Sequence, residues 1–214
     1  MSLPSWTLVV PLKPLARAKS RLAEAAGALR PELALAFALD TVAAALDCPE
    51  VARVLVVTDD AAAGAELVAL GADLVPDPPG AGLNAALAHG AGLAGARYGE
   101  GRVAAMSADL PALRAEELGR VLRAAAGYPR AFLADTQLVG TTLLGAGPGL
   151  ALAPRFEGGS RLRHAASGAH ELTLADVPSV RRDVDTPDDL RAALRLGTGP
   201  RTSALAGLVR LSPG

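Results

Sequence analysis

Short apolar runs alternate along the chain with stretches that have helical periodicity. Residues 8–10 and 51–57 are almost continuously β-branched or leucine, which is typical of strands buried on both faces of a sheet. Between them, large apolar side chains form one stripe of a helix that begins near Pro31; they are Leu35, Leu39, Val42 and Leu46. The repeated strand–helix order predicts an α/β fold, with a mostly parallel sheet flanked by helices and joined by right-handed crossovers.

The same alternation continues to about residue 126 and then changes. It predicts a helix ending at Gly71, a strand over 72–75, a helix over 83–93, a strand over 103–107 and a helix over 116–126. Beyond Tyr128 the predicted elements are short strands over 131–134 and 141–144, a Gly- and Pro-rich loop over 145–154, a short helix ending near 167, edge strands over 171–174 and 182–184, and a last helix over 187–194. We expect one domain over 1–196 and a loosely held tail over 197–214.

A cluster of positive charge follows the first predicted strand directly. The cluster contains four cations within nine residues, namely Lys13, Arg17, Lys19 and Arg21. Because these charges repel one another, an anion is the natural partner that would let them converge. Ser20 stands where a helix can begin, and a helix start adds backbone N–H donors. Such a segment can hold a polyphosphate at the carboxyl edge of a parallel sheet. A solvated basic loop is the alternative, but its place in the first strand-to-helix connection favours a ligand site.

Composition narrows the function classes. Of the 214 residues, 50% are hydrophobic but only 3% are aromatic, so the core is aliphatic and few rings are available for stacking on bases. The formal net charge of -1 gives no general basic field and argues against a nucleic-acid partner. The single cysteine, Cys48, excludes an internal disulfide, and no apolar run reaches the roughly 18 residues of a membrane span. We therefore expect a cytoplasmic enzyme with no membrane partner.

Carboxylates from two separate segments are candidate metal ligands. Asp109 follows an apolar strand, so its side chain is expected at the carboxyl edge of the sheet. Asp183 and Asp185 lie two residues apart and would share one side of a strand. A Mg²⁺ ion that bridges phosphate oxygens takes few protein ligands and keeps several waters. A helix N-cap before Pro187 is the alternative role of Asp185, but Asp109 and the basic loop together favour a metal site.

Motifs spread over nearly the whole chain resemble one enzyme family. They are Lys13-Pro14-Leu15 with Ala18-Lys19-Ser20-Arg21-Leu22, Gly82-Leu83-Asn84-Ala85-Ala86-Leu87, Ala108-Asp109-Leu110-Pro111, Gly140-Thr141-Thr142-Leu143-Leu144, Phe156 to Ser160 with His164, and Asp183 to Pro187. In this order they resemble the phosphoenolpyruvate and 2-phospho-L-lactate guanylyltransferases of coenzyme F-420 biosynthesis. Those enzymes belong to the wider nucleotidyltransferase fold that includes the molybdenum cofactor guanylyltransferases. The resemblance implies a nucleotide-diphospho-sugar transferase architecture, GT-A or Rossmann-like.

The resemblance also implies a reaction, in which GMP passes from GTP to phosphoenolpyruvate. The products would be enolpyruvoyl-2-diphospho-5'-guanosine and pyrophosphate. Because the attacking phosphate is already anionic, the protein needs no general base and acts by positioning and charge neutralisation. The triphosphate would be held by three cations, Lys13, Lys19 and Arg21. The Mg²⁺ ion would be held by Asp109 and Asp185, with Asp183 as the second choice.

For the small acid, the resemblance implies a site near the middle of the chain. Thr142 and Ser160 would supply hydroxyl donors to its carboxylate or phosphate. The usual glycine after the phenylalanine is replaced here by Glu157, which can donate its backbone N–H if its side chain turns away from the anion. Gly158 is the alternative donor at this point. His164, one helical turn after Ser160, would support the site or be simply structural.

The segment around Asn84 is open to more than one interpretation. By resemblance Asn84 would contact the base or ribose of GTP, and an ordinary helix-start asparagine is the alternative. Residues 80–85 also match the G-x-G-x-x-A pattern of dinucleotide-binding dehydrogenases. That pattern belongs in the first strand-to-helix connection with an acid about 20 residues later, and neither condition is met here.

Other function classes fit the sequence less well. No P-loop pattern is present, which disfavours a GTPase. Sugar-phosphate nucleotidyltransferases usually carry a Gly-rich first loop, where this chain has Pro11 and Lys13. A non-catalytic nucleotide-binding relative would share the fold, but Asp109, Asp185 and the basic loop argue against it. 2-Phospho-L-lactate and 3-phosphoglycerate stay open as alternative acids, although the Ala-, Arg- and Gly-rich composition resembles actinobacterial relatives that are expected to use phosphoenolpyruvate.

Overall fold

Strands and helices alternate in the order that the apolar pattern predicts. The structure is a computed structural model that describes residues 5–78 and 82–210, so Gly80 and Ala81 of the G-x-G-x-x-A run lie outside it. The strands are β1 (Trp6–Pro11), β2 (Val51–Val57), β3 (Asp73–Val75), β4 (Arg102–Met106), β5 (Arg130–Ala134), β6 (Thr141–Ala146) and β7 (His170–Glu171). The α-helices are α1 (Ala23–Ala26), α2 (Arg30–Leu46), α3 (Ala61–Ala69), α4 (Leu83–Tyr98), α5 (Ala115–Ala125), α6 (Ser160–Ala166), α7 (Pro178–Arg181), α8 (Pro187–Leu196) and α9 (Pro200–Ala206).

The strands form one mixed sheet in the order β3-β2-β1-β4-β6-β5-β7. The pairs among β1, β2, β3 and β4 are all parallel. Strand β6 runs antiparallel to both β4 and β5, while β7 is parallel to β5. No long helix separates β5 from β6, and antiparallel neighbours need no crossover helix. The predicted α/β class with a mostly parallel sheet is confirmed.

Apolar side chains cover both faces of the sheet. On β1, Leu8 and Val10 belong to a core that includes the buried face of α2, while Val9 belongs to a second core that includes α4. Helix α4 approaches closely at Gly90, where an added Cβ would lie 2.6 Å from a methyl carbon of Val9. The continuous apolar run of β1 follows from this two-sided burial.

Several element boundaries differ from the prediction. Ser20 begins a 3-10 turn, Ser20–Leu22, rather than a long helix, so no extended helix dipole stands behind the basic loop. Helix α4 continues to Tyr98 instead of ending at 93, and the strand predicted over 171–174 shrinks to His170–Glu171. Residues 182–184 are not a strand, because the Val184 N–H donates to the Asp109 carbonyl oxygen instead of to a neighbouring ladder.

Residues 197–210, which follow α8, pack on the domain rather than trailing from it. Asp40, buried in α2, accepts the backbone N–H groups of Arg201 at 3.2 Å and of Thr202 at 2.8 Å, which start α9. The Gly199 N–H also donates to the Pro111 carbonyl oxygen at 2.9 Å. The polar, Gly- and Pro-containing composition predicts a loose tail. Local composition carries no information about a buried acid in a distant helix, so it does not reveal this contact. Within the described ranges, every helix is too short or too polar to cross a membrane.

Candidate active site

A cavity of about 670 Å³ opens at the carboxyl ends of β1 and β4. Its walls come from the loop after β1, the segment after β4, the start of β6, the loop before α6 and the acids before α8. This volume is typical of a site for a small ligand. The predicted site residues that line it are Lys13, Lys19, Arg21, Asp109, Glu157, Gly158, Ser160, Asp183 and Asp185. Asn84 and Thr142 each follow a lining residue in the sequence, Leu83 and Thr141, but do not line the cavity themselves.

Two charged side chains outside the predicted set shape the basic loop. Asp60, at the start of α3, accepts the Leu15 N–H at 3.0 Å. The guanidinium of Arg30 donates to the carbonyl oxygen of Ala16 at 2.8 Å and to that of Ala18. These bonds fix a loop whose own charges repel one another. Neither role has a local signal in the sequence, because Asp60 lies 45 residues and Arg30 lies 14 and 12 residues from the loop groups that they bind.

Lys19 stands between the two segments that carry carboxylates. Its ammonium donates to Asp109 Oδ2 and, at 2.8 Å, to Asp185 Oδ1. Burial by itself lowers the pKa of Lys19, but the charges of Asp109 and Asp185 outweigh burial and raise that pKa above its usual value. Lys19 therefore stays protonated and places one positive charge between two carboxylates.

A backbone hydrogen bond brings the acidic residues together. The Val184 N–H donates to the Asp109 carbonyl oxygen at 3.0 Å, and the Val184 side chain is fully buried. Asp183 and Asp185 flank that anchor, so both line the cavity although their segment is not a strand. The N-cap of α8 is Thr186, whose hydroxyl accepts a backbone N–H of the first turn. Asp185 is thus not used as the cap.

The acidic wall carries an excess of negative charge that suits a divalent cation. Burial, and then the charges of Asp109 and Asp185, raise the pKa of Asp183 to about 7. Among the described residues, no three acidic, histidine or cysteine side chains already converge on one metal position. Mg²⁺ nevertheless needs few protein ligands when phosphate oxygens and waters complete its shell. The three acids fit a cation that is held jointly with a phosphate ligand.

Asn84 is tied to the loop before α6. Its Nδ2 donates to the Phe156 carbonyl oxygen at 3.1 Å, and its Oδ1 accepts the Phe156 N–H at 2.7 Å. Both ends of the amide are therefore engaged by one backbone residue. This arrangement makes Asn84 a support of the cavity wall that continues into Glu157 and Gly158.

The turn at Glu157 shows why a glycine is usual at that position. Glu157 has φ of 78° and Gly158 has φ of 53°, both in the left-handed region that favours glycine. The Glu157 carboxylate lies 3.9 Å from Lys13 Nζ, and the two side chains are 58% and 65% exposed. The side chain thus extends toward the basic loop and solvent.

The two threonines at the start of β6 have different surroundings. Thr141 lines the cavity and its hydroxyl lies 2.9 Å from His164 Nδ1. Thr142 is fully buried at a register irregularity of the β5–β6 pair, and its hydroxyl has no hydrogen-bond partner among the described residues. Ser160, 2% exposed, begins α6 on the same cavity wall as Gly158.

The chain matches a known protein family over most of its length. A family model described as "Guanylyl transferase CofC like" matches residues 6–210. The chain belongs to this family. A protein of Thermomonospora curvata named phosphoenolpyruvate guanylyltransferase is 64% identical over 211 residues, covering 98% of this chain and 92% of that protein. One of the same name from Streptomyces coelicolor is 66% identical over 202 residues, covering 94% and 95%.

Solved structures support the fold independently of these sequence relatives. A proposed nucleotide-diphospho-sugar transferase from Desulfovibrio desulfuricans G20 superposes with a TM-score of 0.70, at 18% identity and over 94% of each chain. At this identity the likeness concerns the fold alone. It confirms the nucleotide-diphospho-sugar transferase architecture for this member of the family.

Proposed function

We propose that this protein transfers GMP from GTP to phosphoenolpyruvate, giving enolpyruvoyl-2-diphospho-5'-guanosine and pyrophosphate for coenzyme F-420 biosynthesis. The observation that carries the proposal is that relatives 64% and 66% identical, over nearly the full chain, bear the name phosphoenolpyruvate guanylyltransferase. The cavity supports it, because cations on one loop face carboxylates on two others. That distribution of charge suits a nucleoside triphosphate that binds with a divalent cation.

In the reaction, a phosphate oxygen of the acid attacks the α-phosphorus of GTP. A new P–O–P bond forms, and the bond between the α-phosphorus and the oxygen bridging to the β-phosphate breaks, so the electron pair leaves with pyrophosphate. Lys13, Lys19 and Arg21 line the cavity beside the β1 edge. They bind the triphosphate and neutralise charge that develops on the leaving group.

The metal would be held by Asp109 and Asp185, with Asp183 beside them, and Mg²⁺ is the proposed ion. When bound, such an ion would supply positive charge that offsets the negative charge of the phosphates. Two observations support this role. Burial, and then the neighbouring carboxylates, raise the pKa of Asp183, and the ammonium of Lys19 is shared between Asp109 and Asp185, so negative charge is concentrated here.

The small acid substrate binds away from these aspartates, in the part of the cavity formed by the start of α6. Ser160 and the backbone of Glu157 and Gly158 form one part of its site. The start of β6 forms the rest, through Thr141 in the lining or the buried hydroxyl of Thr142. Asn84 acts on this site through Phe156 rather than by touching the nucleotide.

A competition assay tests the proposal. The protein is incubated with GTP, Mg²⁺ and equal amounts of phosphoenolpyruvate, 2-phospho-L-lactate and 3-phosphoglycerate, and the nucleotide products are identified by mass. We expect the phosphoenolpyruvate adduct to dominate, together with one pyrophosphate per product. A dominant 2-phospho-L-lactate adduct would overturn the choice of acid, and the absence of any guanylylated acid would overturn the activity.

A further inference from the structure

A second cavity, of about 400 Å³, opens between α7 and α8. Three of its eight lining residues are arginines, namely Arg181, Arg182 and Arg195. The others are one threonine and four small or apolar residues, so none of the described residues that line this cavity is acidic. Positive charge is thus concentrated here, in a chain whose formal net charge is -1. We call this space the arginine cavity.

The arginine cavity shares two wall segments with the candidate active site. Thr136 lines the arginine cavity, whereas its neighbours Asp135 and Gln137 line the active-site cavity. In the same way, Arg182 lines the arginine cavity and Asp183 lines the active-site cavity. Successive residues therefore border two different cavities, and the three arginines do not belong to the site that is proposed to hold the triphosphate.

Both helices that form the arginine cavity are anchored to the start of α5. Ser179 of α7 donates its N–H and its hydroxyl to the buried carboxylate of Glu117, each at 2.8 Å. The guanidinium of Arg114 donates to the carbonyl oxygen of Leu196, the last residue of α8, at 2.6 Å. The walls are therefore fixed before any ligand binds, which lowers the entropic cost of binding.

Arg181 brings a half-buried positive charge to one wall of this cavity. Its guanidinium donates to three backbone carbonyl oxygens, those of Ala134 at 2.7 Å, Leu172 at 3.2 Å and Leu174 at 3.0 Å. Burial lowers the pKa of Arg181, but a guanidinium stays protonated at neutral pH. The direct partners of this charge are uncharged, so among the described residues it has no carboxylate in contact with it.

The other two arginines have hydrogen-bond donors to spare. Arg182 Nη1 lies 3.7 Å from Asp189 Oδ1, which is longer than a hydrogen bond. The other oxygen of Asp189 is already engaged, because it accepts the N–H of Thr186 at 3.0 Å in the cap of α8. Arg195 is exposed in the last turn of α8, and the described part of the chain gives its side chain no hydrogen bond or ion pair. Both guanidinium groups are therefore available to a ligand.

We propose that the arginine cavity binds a phosphate-type oxyanion, held by the guanidinium groups of Arg182 and Arg195 beside the fixed charge of Arg181. A doubly charged tetrahedral anion offers several acceptor oxygens, and guanidinium groups match such oxygens with paired donors. Three cations with no acid in the lining suit this charge better than the charge of a single carboxylate. Binding of this anion does not depend on guanylyl transfer, so the two proposals fail independently.

Titration of the full-length protein tests the site directly. The ¹⁵N-labelled protein is titrated with inorganic phosphate, and separately with pyrophosphate, at constant ionic strength and without divalent metal. We expect saturable shifts of the Nε–H resonances of Arg182 and Arg195, which are assigned by their loss in Arg182→Gln and Arg195→Gln. Saturation by either anion supports the site, and the anion that saturates at the lower concentration is the better model of the occupant. Shifts that grow without saturation for both anions would overturn the proposal.

Variants show whether the response belongs to this cavity, and their amide spectra check that each is folded. Arg195→Gln, measured at the Arg182 resonance, should weaken phosphate binding about tenfold, because a charge-assisted hydrogen bond is lost. Arg97→Gln makes the same change of charge at an exposed position of α4 and should leave the affinity within about twofold. Lys13→Gln combined with Arg21→Gln removes cations from the basic loop and should leave the shifts of both arginines in place. Equal losses in Arg195→Gln and Arg97→Gln, or shifts that disappear in the double variant, contradict binding in the arginine cavity.

Discussion

Single side chains balance the charge of the cavity. Lys19 places its ammonium against one oxygen each of Asp109 and Asp185, whose carboxylates are proposed to bind a divalent cation. An ammonium and a metal ion cannot occupy that space together. If the carboxylates take a metal together with the triphosphate, we expect Lys19 to leave them, which would free its ammonium to bind phosphate. Such an exchange would couple metal binding to nucleotide binding.

Lys19→Gln should tighten the binding of Mn²⁺ to the nucleotide-free protein by roughly tenfold, because a competing positive charge is removed from the carboxylates. The same variant should use GTP less well. Electron paramagnetic resonance of free Mn²⁺ measures the affinity. Arg97→Gln makes the same change of charge at an exposed position and should leave the affinity unchanged. Weaker or unaltered Mn²⁺ binding in Lys19→Gln would count against the exchange.

Asp109→Asn and Asp185→Asn should each lower turnover by about 10²-fold or more, since each keeps the shape of the side chain but removes charge that the metal needs. Initial rates of pyrophosphate release measure the effect, and circular dichroism checks the fold. Asp188→Asn is the matched control, because its side chain is 88% exposed at the first turn of α8. Rates near those of the parent protein in either active-site variant would remove that residue from the metal site.

At the scale of elements, the part of the cavity proposed to bind the small acid depends on contacts between two helices and a loop. Asn84 at the start of α4 and His164 in α6 hold consecutive backbone groups of Arg155 and Phe156. The left-handed turn at Glu157 follows immediately. Helices that are themselves packed on the sheet thus fix a loop that has no regular structure. These residues thus fix the position of the loop.

Asn84→Ala should raise the KM for the acid several-fold while changing the KM for GTP little, because the loop loses both of its bonds to α4. The free energy of unfolding should fall by about 1–2 kcal/mol. Asn84→Asp keeps the acceptor for the Phe156 N–H but lacks the donor, so its effect should be intermediate. His89→Ala, at an exposed position of the same helix, serves as the control. A selective rise in the KM for GTP would instead favour contact with the nucleotide.

At the scale of the whole molecule, α9 packs back onto elements from the first half of the chain. Helix α9 packs against α2, and the buried carboxylate of Asp40 accepts the N–H groups of Arg201 and Thr202. The Gly199 N–H donates to Pro111, which follows Asp109 closely. The final helix thus supports both the core helix α2 and the acidic edge of the cavity.

Asp40→Ala should lower the free energy of unfolding by about 2–3 kcal/mol, since hydrogen bonds to a buried charge are lost and the start of α9 is left unsatisfied. Urea unfolding measures the change as a lower midpoint. Asp47→Ala, at the exposed end of α2, should shift the midpoint far less. Equal midpoints for the two variants would show that α9 contributes little to the stability of the domain.

The sequence by itself determined the alternation of strands and helices, the mostly parallel sheet and the segments that carry charge. Burial periodicity is local, so β2 falls at Val51–Val57 as predicted. Most of the predicted site residues likewise meet in one cavity, because the carboxyl ends of parallel strands share one edge.

Only the tertiary structure decided which partners these residues have. Asn84 binds a backbone 72 residues away, Lys19 meets an acid 90 residues away, and Asp40 caps a helix 161 residues away. Local patterns encode burial and turns, but the partner of a polar group depends on which distant segments converge. The same holds for the neighbours Thr141 and Thr142, whose different surroundings follow from a pairing irregularity with β5.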